Sequence, residues 1–146
     1  INLVTAFGGM AIALTADRVG HRRLVMLGTA LALVSSLAGA FVAEVEQLLV
    51  ARILEGIAFI SVTAAVPALL LRIARPADQR LAMALWTTYM PAGAGTMMLI
   101  SAAVLPGTSW RIGWLVAAGA SALMLLALAL RALRERSLDP QPARRR

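Results

Sequence analysis

The chain has 146 residues, of which 60% are hydrophobic and 14% charged, and its formal net charge is +7. So few charged residues cannot cover a soluble domain of this length, which makes a membrane protein the first class to consider. The absence of cysteine excludes disulfides and thiolate chemistry, and one histidine with seven carboxylates favours neither an enzyme nor a metal or cofactor site. The arginines lie between and after apolar runs, which disfavours a nucleic-acid-binding protein.

The apolar runs, taken in chain order, predict membrane-spanning helices. A helix needs about 20 apolar residues to cross a hydrocarbon core about 30 Å thick. Four runs are long enough, namely 24–43, 47–71, 81–105 and 112–130. The first run, 1–16, reaches only about 24 Å at the rise of an α-helix, and the chain opens on Ile without a basic leader. We therefore expect 1–16 to be the end of a truncated helix and the chain to be a fragment.

The distribution of arginine predicts the orientation of these spans. One side of the predicted topology carries Arg18, Arg22, Arg23, Arg72, Arg75, Arg80, Arg131, Arg134, Arg136, Arg144, Arg145 and Arg146. The other side carries only Arg52 and Arg111, together with Glu44 and Glu46. Because basic loops stay in the cytoplasm, the sequence predicts an all-α integral membrane protein. Its polytopic helical bundle covers 1–130, and its basic loops and C-terminal tail are cytoplasmic.

The tail, 131–146, contains two prolines and alternating charges without apolar periodicity. This pattern predicts a helix end that runs into a disordered cytoplasmic tail or linker. A simple solvated tail accounts for it, and contact with anionic lipid headgroups remains an alternative.

The first predicted loop lies within "TADRVGHRR", Thr15 to Arg23. Arginines beside apolar spans fix orientation by themselves, but orientation does not require Asp17 or Gly20. The longer segment "ALTADRVGHRR" resembles the signature of the loop between the second and third helices of the major facilitator superfamily. The matching residues are Asp17, Arg18, Gly20, Arg22 and Arg23, and Ala13 stands where that family usually has glycine. The resemblance implies that this loop acts as a conformational latch.

The third and fourth helices of that family also have counterparts here. Small residues recur every four positions at Gly28, Ala32, Ser36 and Ala40, which predicts close helix packing. In "LLVARILEGIAFI", Arg52 and Gly56 match the fourth-helix pattern, and Glu55 stands where glutamine is frequent. Arg52 and Glu55 are one turn apart and can pair. Either Arg52 snorkels to the interface, or the pair faces the central cavity and serves coupling, a role that the resemblance implies.

The segment "MPAGAG" is similar to an incomplete form of the fifth-helix motif of the family. Pro91 and Gly95 align, Gly93 is displaced, and Met90 replaces a glycine. From the residues themselves we expect a kink at Pro91 and close packing at Gly93 and Gly95. The "SWR" turn resembles the start of the sixth helix, which predicts that Trp110 and Trp114 are anchors at the outer interface.

The resemblance covers the end of the second helix through the sixth, and the start of the central linker. It implies part of the N-terminal six-helix half of a secondary transporter in the bacterial inner membrane. Such a protein moves a small solute by alternating access. The implied partners are a small or anionic solute, protons, the bilayer and a missing C-terminal half, and "ALWTTYMPAGAG" resembles cyanate-transporter-like branches. The alternative is a small membrane scaffold or assembly protein that does not transport.

Overall fold

A computed structural model describes residues 19–138, and every regular element in that range is helical. The elements are α1 (His21–Phe41), α2 (Val45–Ile73), α3 (Gln79–Thr87), α4 (Tyr89–Val104), a 3₁₀ turn (Leu105–Gly107) and α5 (Arg111–Leu138). Within the described range, α1, α2 and α5 are long and apolar enough to cross a membrane. The predicted all-α membrane fold is therefore confirmed, and these three helices coincide with the predicted spans 24–43, 47–71 and 112–130.

The C-terminal helix continues beyond the predicted span 112–130. The polar tail was predicted to start at 131 as a helix end, and α5 extends to Leu138. The segment "RALRERSL" consists mostly of residues with good helix propensity, so its loss of hydrophobicity does not end the helix. Pro140 disfavours helical backbone at the residue before it, which accounts for an end near this point. The predicted tail from 139 onward lies outside the described residues.

The predicted span 81–105 is not one helix but two. α3 and α4 contain 9 and 16 residues and meet at Thr88, whose φ of −80° and ψ of −12° keep the chain direction close to helical. Pro91 explains the interruption, because it has no N–H to donate to the Thr87 carbonyl and its ring clashes with that carbonyl in a regular helix. In the structure Pro91 occupies the first turn of α4, where a missing donor is tolerated.

α1 packs against both α2 and α5. A Cβ atom built on Gly28 would lie 2.9 Å from Val62 Cγ2 and 3.0 Å from Ser61 Cβ, so the absence of a side chain sets the distance between α1 and α2. Gly39 has the same role toward α5, where it faces the ring of Trp114. Three of the four residues of the predicted small stripe, Gly28, Ser36 and Ala40, are buried.

The three long helices alternate in direction. Arg111 Nη2 donates to the Val42 carbonyl at 3.3 Å, which places the start of α5 beside the end of α1. At the other end, Arg22 of α1, Ile73 of α2 and Arg131 of α5 line one groove. We call this second end the basic end of the bundle. Because α2 ends there and α5 begins at the opposite end, residues 74–110 run the length of the bundle, and α3 and α4 together form a fourth traverse.

Candidate functional site

The ion pair between Arg52 and Glu55 lies on α2 near the end opposite the basic end. Arg52 Nη1 donates to Glu55 Oε2 at 2.7 Å across one helical turn. The side chains are 49% and 32% exposed, so both groups border open space within the described part of the chain. The pair that the spacing allowed is thus formed, and it brings a neutralised but polar group into an otherwise apolar bundle.

A tryptophan ring completes this cluster. The guanidinium carbon of Arg52 lies 4.3 Å from the centre of the Trp114 ring, a distance suited to a cation–π interaction. Trp114 is only 9% exposed because its ring packs on Gly39. The prediction that Trp114 anchors the protein at the outer interface is therefore wrong. Trp110 is 49% exposed, with the guanidinium of Arg111 5.7 Å from its ring.

A cleft of about 470 Å³ begins at Glu55 and extends between five helices. Its lining comprises Thr29, Ala32, Ser36, Glu55, Ala58, Phe59, Val62, Thr63, Trp86, Tyr89, Ala117, Ala120, Ser121 and Met124. Trp86 and Tyr89 stack at 4.4 Å with 22° between their planes, and they flank the break between α3 and α4. The walls are mostly apolar, so the cleft suits an organic solute with an apolar or aromatic body.

Two of the hydroxyl groups on these walls are bound to the helix backbone. Thr29 Oγ1 donates to the Val25 carbonyl, and Thr63 Oγ1 donates to the Phe59 carbonyl, both at 2.8 Å. Each hydroxyl therefore retains acceptor capacity toward the cleft but has used its proton. Among the residues that line the cleft, only Glu55 and, as packing residues, Ala32 and Ser36 were predicted from the sequence. Residue spacing along one helix gives no signal for a surface that five helices share.

A second cleft of about 220 Å³ adjoins the first. Arg52, Glu55, Trp110 and Trp114 are among its lining residues, and Met97 is contributed by α4. Glu55 lines both clefts, so its carboxylate stands at the boundary between them. A change in the Arg52–Glu55 contact would alter both spaces at once.

The predicted latch loop is described only in part. Asp17 and Arg18 lie outside the described residues. Gly20 precedes α1 with a φ of 91°, a conformation that favours glycine over other residues. The loop ends earlier than predicted, because Arg22 and Arg23 already belong to the first turn of α1, where both are exposed. Positive charge does not stabilise a helix N-terminus, so helix stability does not account for these arginines.

The remaining predicted residues do not form a single site with the ion pair. Gly56 is buried on α2, next to Glu55 in the chain. Pro91, Gly93 and Gly95 are exposed on α4, and no described atom lies within 4 Å of a Cβ built on either glycine. Close packing at these glycines stays a prediction. Among the side chains that the structure describes, no three from His, Asp or Glu come together in a way that could hold a metal ion.

Long apolar helices, alternating directions and arginines gathered at one end define a multi-pass helical membrane protein. The sequence profile of the Major Facilitator Superfamily matches residues 2–146. The chain belongs to this family, and the resemblance inferred from its motifs is confirmed.

One relative specifies the comparison further. The chain is 36% identical over 143 residues to the multidrug efflux pump LfrA of Mycolicibacterium smegmatis (strain ATCC 700084 / mc(2)155). The match covers 97% of this chain and 28% of that protein, so the chain spans less than a third of its relative. No solved structure matches the chain. The predicted likeness to cyanate transporters stays a prediction.

Proposed function

We propose that this chain forms part of the N-terminal half of a secondary transporter in the bacterial inner membrane. The transporter moves a small, apolar or aromatic organic solute by alternating access. The observation that carries the proposal is the cleft of about 470 Å³ between five helices, with the stacked pair Trp86 and Tyr89 on its wall and Glu55 at its edge. Clefts between helices of a bundle are common ligand sites.

The relative supports export as the direction of transport. Its name describes a multidrug efflux pump, and the match extends over nearly the whole of this chain. Apolar walls without a dense set of directional polar groups fit a solute that is recognised by shape and hydrophobicity. The proposal includes protons as the coupling ion, a C-terminal half as the partner, and no chemical conversion of the solute.

The latch and the ion pair have separate roles in this proposal. In the proposal the loop from Asp17 to Arg23 engages the other half of the transporter in one state. Its described residue Arg22 lies at the basic end, which faces the cytoplasm. Near the opposite end, Arg52 and Glu55 border both clefts. Their 2.7 Å contact couples the shape of the solute cleft to the state of one carboxylate.

Dye efflux tests the proposed cleft. Cells that express the gene containing this chain are loaded with cationic ethidium or neutral Nile red, and the loss of fluorescence is recorded. Trp86→Ala removes a cleft wall and is expected to slow efflux of both dyes. The matched control is Leu99→Ala, since Leu99 is 75% exposed and outside the cleft. A gene product that reaches the membrane without exporting any candidate solute would favour the scaffold alternative.

The latch is tested independently of the cleft. Asp17→Asn removes one negative charge with almost no change in shape. We expect it to abolish most efflux while the amount of protein in the membrane stays unchanged. Full efflux in this variant would remove the latch from the mechanism and leave the cleft proposal intact.

A further inference from the structure

A groove of about 280 Å³ at the basic end is not part of the solute cleft. Its lining residues are Arg22, Met26, Leu69, Ile73, Leu128 and Arg131, which come from α1, α2 and α5. The floor belongs to the bundle core, because Leu128 packs against the buried cluster of Leu24, Val25 and Ala65. The groove is therefore a fixed feature of the three-helix contact rather than a space between loose side chains.

The groove lies where all three helices change from charged to apolar sequence. In α1 the change falls between Arg23 and Leu24, in α2 between Leu71 and Arg72, and in α5 between Leu130 and Arg131. In a bilayer this level corresponds to the boundary between headgroups and acyl chains. The groove therefore has one part level with lipid phosphates and one part level with hydrocarbon.

The residues that line the groove are likewise of two kinds, cationic and apolar. The two polar side chains that line the groove, Arg22 and Arg131, are both cationic, and the described lining contributes no carboxylate. Guanidinium groups bind phosphate oxygens through paired hydrogen bonds. Met26, Leu69, Ile73 and Leu128 provide an apolar surface suited to an alkyl chain. A soluble anion would leave this surface exposed, and an uncharged hydrocarbon would not make use of the charge of Arg131.

From this arrangement we propose that the groove binds one anionic phospholipid of the leaflet at the basic end. The headgroup phosphate lies against Arg131 and Arg22, and an acyl chain follows Leu69, Ile73 and Leu128. Arg22 also takes part in another interaction, so Arg131 is the position to vary. The proposal concerns lipid binding by the chain itself and does not depend on the solute or on transport.

Native mass spectrometry of the whole chain in detergent tests the proposal. The chain is titrated with equal amounts of phosphatidylglycerol and phosphatidylcholine, and the ratio of the two bound forms is measured. We expect phosphatidylglycerol to be bound in excess by about fivefold, the effect of roughly one basic residue at a membrane surface. Arg131→Gln should bring the ratio close to equality, and Arg131→Lys should retain most of the preference.

Arg80→Gln is the matched control, because Arg80 is an exposed arginine near the basic end that does not line the groove. This variant should keep the wild-type ratio. Equal losses in R80Q and R131Q would mean attraction by general surface charge and would overturn the proposal. Displacement of the lipid by millimolar inorganic phosphate would overturn it as well, since it would identify a site for free anions.

The apolar half of the groove allows a second test that does not depend on Arg131. Ile73→Ser is expected to weaken the binding of both lipids equally and to leave the ratio of their bound forms unchanged, because in the proposal Ile73 contacts only the acyl chain. Unchanged binding in I73S would place the lipid elsewhere and contradict the proposal. Circular dichroism of each variant confirms that the helices have formed before binding is compared.

Discussion

Arg52 is a charged residue within a membrane helix, and its neighbours lower the free energy cost of placing it there. Insertion of an arginine at the centre of such a helix costs about 2.5–3.5 kcal/mol. The ion pair with Glu55 returns up to about 1 kcal/mol, and the Trp114 ring returns about 0.5–2 kcal/mol. Since both partners belong to this chain, the cluster offsets part of the cost without a group from outside.

The charge of Glu55 can be tested against a second glutamate on the same helix. Glu55→Gln removes the negative charge that pairs with Arg52, a contact worth up to about 1 kcal/mol at this exposure, so we expect efflux to fall by about fivefold and to lose its dependence on the proton gradient. Efflux is measured with and without a protonophore. Glu46→Gln, at an exposed position in the first turn of α2, should leave both the rate and the dependence unchanged.

Arg52→Ala separates coupling from folding at the same pair. We expect this variant to reduce gradient-driven efflux more than it reduces the amount of protein in the membrane, because the chain loses an exposed ion pair and a cation–π contact but no buried apolar side chain. If R52A disappears from the membrane while E55Q is harmless, the pair stabilises the fold and does not take part in coupling.

For single residues, the sequence predicts side-chain contacts within one helix and does not predict contacts between helices. The Arg52–Glu55 contact follows from a three-residue spacing, which fixes two side chains on one face. The position of Trp114 was wrong because tryptophan near a span end usually marks the interface. Its partner Gly39 belongs to a different helix, and no local pattern connects the two.

Glycines determine how closely the helices approach α1. Gly39→Ala would place a methyl group 2.6 Å from Trp114 Cδ2, so the ring or the helix must move. We expect a loss of about 1–3 kcal/mol from overpacking, measured by thermal unfolding in detergent. Gly119→Ala is the control on α5, where no described atom is within 4 Å of the added carbon, and it should gain up to about 1 kcal/mol. Equal stability of G39A and G119A would contradict this packing.

The break between α3 and α4 depends on Pro91, one turn after Thr88. In Pro91→Ala the new amide can donate to the Thr87 carbonyl, so we expect a single helix over residues 79–104. The resulting gain in stability should be well below the roughly 3 kcal/mol that proline costs inside a helix, because Pro91 already lies in the first turn of α4. Hydrogen exchange measures the protection of amides 88–92. Pro106→Ala, at an exposed position in the 3₁₀ turn, should not change the protection of these amides.

The element boundaries were predictable where hydrophobicity and helix propensity change together. They agree closely at the start of α2, which is predicted at 47 and observed at Val45. At the end of α5 hydrophobicity and helix propensity change at different residues, because the chain becomes polar at Arg131 while the helix continues to Leu138. For the span 81–105 the sequence predicted a kink but not two separate helices. Proline identifies the position where a backbone hydrogen bond is lost, and it does not determine whether the helix continues past that position or ends there.

For the whole molecule, the arginine asymmetry and the helix directions agree with each other. The sequence assigns most arginines to one side, and the structure gathers the start of α1 and the C-terminal parts of α2 and α5 at one end. Composition could predict this because a bilayer allows few arrangements of apolar helices. The large cleft could not be predicted, since its lining is assembled from five helices that no single periodicity relates.

Cysteine labelling tests the fourth traverse and the orientation together. The chain contains no native cysteine, so Ala77→Cys, before α3, and Gly107→Cys, after α4, each provide one exposed thiol. If residues 74–110 cross the membrane and the basic end is cytoplasmic, a membrane-impermeant maleimide labels G107C in intact cells and A77C only after permeabilisation. Labelling of both from one side would show that α3 and α4 turn back within the bilayer. The reverse pattern would retain the traverse but invert the orientation, which would place the latch loop and the lipid groove at the outer face.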